Sequence, residues 1–147
     1  MPRYVLDTNV LIDALNHPGA REETLAFLRW ALPRVWLSAV VLHELEAGST
    51  GPQQQALLEQ HLVGPFERRQ RILAPSVGAW RRAGQVIRRG LRVESPAALN
   101  DLLLAVSCRD AGAILVTRDR GLARLGKHIP GLQVAAPYPA PGRPARR

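Results

Sequence analysis

The chain has 147 residues, 46% of them hydrophobic and 22% charged, which suits one domain with a real core and excludes a disordered chain. Its formal charge of +8, from 20 basic and 12 acidic residues, fits a phosphate-bearing or acidic partner, or else solubility and an arginine-rich codon bias. The single cysteine, Cys108, excludes an intramolecular disulfide framework, and no apolar run reaches the ~18–20 residues of a membrane helix.

Residues 3–6 read as a buried strand that stops at Asp7, Thr8 and Asn9. Ligands of parallel α/β sheets sit just beyond the carboxyl ends of strands, so Asp7 is the first candidate for chemistry. Thr8 or Asn9 can cap a short helix through Leu15, which His17, Pro18 and Gly19 break. A helix is expected over 20–32, with Leu25, Leu28 and Leu32 on one face and Glu22 and Glu23 in its first turn, complementing the macrodipole. Val35 to Leu37 form a second strand, which ends at Ser38.

The next helix, about 39–47, sets Glu44 on one face with Val41, Leu45 and Gly48. An acid on a core-facing stripe needs a partner or a metal; a rotated helix with a half-exposed Glu44 is the other reading. Residues 48–52 read as a loop and 53–64 as a helix, with His61 at its surface or partly buried. Ile72 to Ala74 suggest a brief strand. A helix over about 76–90 carries Arg81, Arg82, Arg88 and Arg89, as an RNA track or a solvated face. Gly78 and Gly84 lower its propensity, so it must rely on packing.

The strongest helix is expected over 97–111, with Leu99, Leu102, Leu103 and Val106 as its stripe. Asp101 lies between Ala97 and Ala105, small neighbours that leave its carboxylate unobstructed; it can equally complement the helix N-terminus. Cys108 falls in the same apolar pattern and reads as a core residue rather than a nucleophile. Residues 113–116 form another buried strand, ending at Thr117, Arg118 and Asp119, which repeats the pattern at Asp7. A short helix over 121–125 and a last strand over 132–134 complete one domain, 1–134. Residues 135–147 read as a disordered Pro/Arg-rich tail.

Strands alternating with helices predict an α/β domain, a mostly parallel sheet flanked by helices in three layers. Asp7 and Asp119 then share one sheet edge, and Glu44 and Asp101 can converge on it. Crowded carboxylates repel, so either some are protonated or a cation sits among them. Oxygen-only ligands favour Mg²⁺ or Mn²⁺. Carboxylate-held metal in a basic surround suits phosphodiester hydrolysis. No zinc-ligand spacing, Walker loop or nucleophile elbow appears.

Four stretches, Leu6-Asp7-Thr8-Asn9, Ser38 to Gly48 with His43-Glu44-Leu45, Asn100-Asp101 and Thr117-Arg118-Asp119, resemble in order and spacing the landmarks of PIN domains, and in particular VapC-type toxins of toxin–antitoxin pairs. The resemblance spans about residues 3–126. It implies an Mg²⁺- or Mn²⁺-dependent endoribonuclease with Asp7, Glu44, Asp101 and Asp119 as the catalytic acids. Asp7, Asp101 and Asp119 would bind metal, Glu44 would orient water, and Thr8, Asn9 and Thr117 would fix the carboxylates. It further implies an RNA substrate, a cognate antitoxin and a homodimer, with Trp30 and Leu57 as contacts or core residues. Many relatives carry another acid and an aromatic after the T-R-D motif, where this chain has Gly121 and Leu122, which puts a second metal site in doubt. The absence of a signal peptide pattern points to the cytoplasm. A stand-alone RNA-processing nuclease and a non-catalytic RNA- or protein-binding module remain as alternatives.

Overall fold

The computed structural model describes residues 2–135, 138, 139 and 141. Five strands form one sheet: β1 (Arg3–Leu6), β2 (Val35–Ser38), β3 (Ile72–Leu73), β4 (Ala113–Val116) and β5 (Gln133–Ala135), in the order β3-β2-β1-β4-β5. Every pairing is parallel, with Tyr4 opposite Val35 and Ile114, and Val116 opposite Leu6 and Ala135. The parallel α/β architecture expected from the sequence is thus present.

The central strands are buried on both faces, which is why they read as unbroken apolar runs. Successive side chains point to opposite sides. Tyr4 and Leu6 join Val35, Ile114 and Val116 in one core, closed by Val10 of α1 (Thr8–Asn16) and Phe27 of α2 (Pro18–Ala31). Val5, Leu37 and Leu115 face the other core. It is closed by α3 (Ala39–Gly48), α4 (Gly51–Leu58), α6 (Val77–Arg88) and α7 (Pro96–Asp110). The three layers follow from this alternation.

Helix α7 differs from the expected one-sided stripe, since every residue from Leu102 to Cys108 is buried. It is a core helix wrapped on all sides rather than an amphipathic one. Helix α2 begins earlier than expected. Pro18 occupies its first turn instead of breaking it, because the missing proline N–H has no intrahelical partner there.

The helix expected to stop at Gly64 continues. A π-turn over Glu59–Val63 leads into α5 (Gly64–Arg68), with the Gly64 N–H bonded to the Glu59 carbonyl. A Cβ at position 64 would lie 3.0 Å from that carbonyl oxygen, a tight approach that favours glycine. Helix α8 (Arg120–Arg124) follows β4.

Ala135 and Tyr138, assigned by the sequence to the tail, belong to the packed body. Ala135 is a buried end of β5. Tyr138 stacks on Phe27 with ring centroids 4.9 Å apart and shares a 2.6 Å hydrogen bond with Thr24. The remaining tail positions, 136, 137, 140 and 142–147, lie outside the described residues. Among the described residues no helix is long and apolar enough to cross a membrane.

Candidate active site

Because β1, β2 and β4 are parallel neighbours, their carboxyl ends open on the same edge. Asp7 follows β1 and caps α1, its Oδ1 accepting the Thr8 N–H at 2.7 Å. Its Oδ2 accepts the Thr117 hydroxyl at 2.9 Å. That hydroxyl in turn accepts the Asp119 N–H at 3.0 Å. Asp119 caps α8, with Oδ1 accepting the N–H groups of Gly121 and Leu122. The residue that breaks the family pattern after the motif, Gly121, fits this turn closely: a Cβ there would lie 3.1 Å from Asp119 Oδ1.

Glu44 comes from α3 and is half-buried, so the sequence's second reading of this helix describes its exposure. Its Oε1 accepts the Thr8 hydroxyl at 3.0 Å. Thr8 therefore holds two of the acids, one through its backbone and one through its side chain. Asp101, on α7, is half-buried and has no hydrogen-bond or ion-pair partner among the described residues.

The four acids sense one another. Burial raises the Asp7 carboxyl above the ordinary range; bonds from Thr117 and Thr8 oppose this, and the charges of Glu44 and Asp119 add to it. Asp101 is pushed up to about 6, first by burial and then by Asp7, Asp119 and Glu44. None of the ion pairs among the described residues involves any of these four. A pocket of acids without a basic partner is an unfavourable arrangement for a protein alone and a natural one around a cation.

The donor set is oxygen only, which fits Mg²⁺ or Mn²⁺. Among the described residues no three His, Cys, Asp or Glu side chains form a ready cage for one ion. An ion here would keep several of its waters, with some of the carboxylates reaching it through them.

Two sequence expectations differ from the structure. Asn9 is exposed and has no side-chain hydrogen bond among the described residues, so it does not fix any of the carboxylates. Glu23 does not serve the first turn of α2, which starts at Pro18; instead it pairs with Arg118. The Arg118 guanidinium also lies 5.9 Å from the Tyr138 ring. This couple ties the Thr117–Asp119 turn to α2, and nothing in the spacing of residues 95 positions apart announced it. Cys108 is buried, and burial pushes its thiol up to about 12, as a core cysteine rather than a nucleophile requires.

Beside Glu44 runs an apolar cleft of about 770 Å³ between α1, α2, α3 and α4. Leu15, Leu25 and Leu57 line it and remain exposed, Leu57 by 50%. His61 is exposed at its wall. Trp30, by contrast, packs edge-on against Tyr4 and Phe27.

An all-parallel α/β domain with interacting acids at the carboxyl-end edge of its sheet is the class that this fold and site define. Within it, the chain belongs to the PIN domain family, whose profile matches residues 4–128. PIN domains are generally nucleases. Among solved structures with this fold, FitAcB from Neisseria gonorrhoeae superposes with a TM-score of 0.68 at 23% identity, over 93% of this chain and 99% of that one. DNA-bound VapBC from Salmonella typhimurium gives 0.67 at 26%, over 92% and 98%. VapBC2 from Rickettsia felis, bound to a DNA fragment from its promoter, gives 0.61 at 26%, over 90% and 97%. No curated protein sequence matches the chain.

Proposed function

We propose that the protein is an Mg²⁺- or Mn²⁺-dependent endoribonuclease acting as the toxin of a toxin–antitoxin pair in the cytoplasm. The observation that carries the reading is Asp101: a half-buried carboxylate within range of the charges of three others, with no hydrogen-bond or ion-pair partner among the described residues. Asp7, Asp101 and Asp119 would hold the metal. The bound ion supplies an activated water and a counter-charge for the phosphodiester at the moment of displacement.

The protein's own groups set the stage. The Thr117 and Thr8 bonds fix both oxygens of Asp7 in one orientation, leaving the remaining lone pairs to face the pocket. The N–H groups of Gly121 and Leu122 fix Asp119 through one oxygen. Thr8 holds Glu44 within the same group of acids, where it can orient the attacking water. No covalent protein nucleophile is needed.

The exposed apolar cleft ending at Glu44 supports an antitoxin as partner, because an apolar strip of this kind suits an amphipathic segment. The neighbouring structures are toxin–antitoxin complexes, which accords with that partner.

The test is cleavage of structured RNA by purified protein with Mg²⁺, Mn²⁺ or EDTA, beside Asp7→Asn. The expected result is metal-dependent cutting that the variant loses while it keeps its fold. An active Asp7→Asn protein would remove Asp7 from the chemistry. A wild-type protein that neither cuts nor binds Mg²⁺ by calorimetry would favour a binding module.

A further inference from the structure

The family profile ends at residue 128, yet the turn that carries Asp119 is held from beyond that point. The Thr117 N–H donates to the carbonyl of Ala135, the last residue of β5, at 3.1 Å. The next residue, Arg118, sends its guanidinium to Glu23 of α2, and the Tyr138 ring lies 5.9 Å from that guanidinium. The two paired side chains are 35% and 57% exposed, and an ion pair so open to water holds little by itself. An aromatic face at this distance adds its own attraction for the cation.

Tyr138 is itself fixed to α2. A threonine hydroxyl has one hydrogen, and Thr24 gives it to the Ala20 carbonyl at 2.9 Å. The phenol of Tyr138 is therefore the donor in its 2.6 Å bond to Thr24. On one face the ring stacks on Phe27, a buried core residue, with 25° between the planes. A ring held by a bond and a stack is a firm support for a mobile arginine.

We infer that Tyr138 is a positioning residue for Asp119: it clamps Arg118 against α2 and so holds the Thr117–Asp119 turn in place. Tyr138 touches none of the acids. It acts through Arg118, which lies between Thr117, whose hydroxyl bonds Asp7, and Asp119 itself. A turn that shifts moves both contacts together. The clamp is a matter of protein geometry alone; its consequence for a metal rests on the nuclease reading, so the test reads the two separately.

The experiment is amide hydrogen exchange by NMR, without metal, and Mg²⁺ titration by calorimetry. Both use the full chain with Tyr138→Leu, Arg118→Gln, the double variant and Arg118→Lys. Tyr138→Leu should speed exchange of the Asp119 amide about tenfold and leave the Val5 and Leu115 amides as in wild type. It should weaken Mg²⁺ binding about tenfold, the usual scale for a lost support of a ligand. Arg118→Lys should keep most of the wild-type behaviour, since it retains the cation. In the Arg118→Gln background Tyr138→Leu should add nothing, because each change removes the same clamp. A ring that serves only packing would instead add its full effect there. Unchanged Asp119 exchange, additive effects, or protection lost equally at Val5, Leu115 and Asp119 overturns the inference. A wild-type protein that binds no Mg²⁺ sinks the nuclease reading, and the exchange data still decide the clamp.

Discussion

The Thr117 hydroxyl links the two strand-end acids: it donates to Asp7 Oδ2 at 2.9 Å and accepts the backbone N–H of Asp119 at 3.0 Å. Thr117 is fully buried, so neither bond has water as a substitute. One side chain on β4's exit therefore sets the position of both carboxylates.

Thr117→Val keeps the shape and deletes the hydroxyl. It leaves a buried carboxylate oxygen and a part-buried N–H without this partner, which costs about 1–3 kcal/mol for such groups. The expected outcome is a stability loss of that order in urea melts. Cleavage should fall about 10–100-fold, the usual scale for losing a group that orients a ligand. Wild-type cleavage in Thr117→Val would show that Asp7 is held well enough by Thr8 alone.

The raised Asp101 carboxyl makes metal-free stability depend on pH. Its folded value of about 6 lies above the ordinary 3.8, so between these values the folded state binds more protons than the unfolded one. Its contribution is therefore fully present below pH 3.8 and is lost as pH rises through about 6. Asp7, shifted in the same direction, adds to the trend. Without divalent metal, Asp101→Asn should gain thermal stability over wild type at pH 7.5, with the difference shrinking toward pH 4. Mg²⁺ should raise the melting temperature of wild type at pH 7.5 and do less for the variant. An equal gap between the two proteins at both pH values would contradict the shared charge of the pocket.

Leu57 tests the cleft. It is half exposed and lines the apolar strip beside Glu44. Leu57→Arg should fold normally and cut RNA as wild type does. It should bind the cognate antitoxin at least about tenfold more weakly, as expected for a charge placed in an apolar contact. Calorimetric titration reads this directly; unchanged affinity would place the antitoxin elsewhere.

Much of the site was legible because its signals are local. Asp7 and Asp119 stand out where an apolar strand gives way to a hydroxyl residue and an acid, and a parallel sheet places such ends together. Thr8 and Thr117 could be read as carboxylate-fixing groups from adjacency alone. Asn9, equally adjacent, faces solvent because it lies one helical step further round α1. Adjacency without a phase does not separate these cases.

Periodicity identified α7 as a strong helix, yet only its surroundings made it a core helix buried on every side. The reach of Arg118 to Glu23, the stacking of Tyr138 on Phe27 and the open cleft at Leu57 join segments that are remote in sequence. The sequence by itself determined which strands exist, that they run parallel and that acids stand at their ends, because these follow from apolar runs and their terminators. Tertiary structure alone decided which acids lack a partner, how α2 secures the Asp119 turn and which apolar faces stay uncovered. Those outcomes depend on how helices rotate and pack against the sheet, and packing is settled by shape and burial among distant residues.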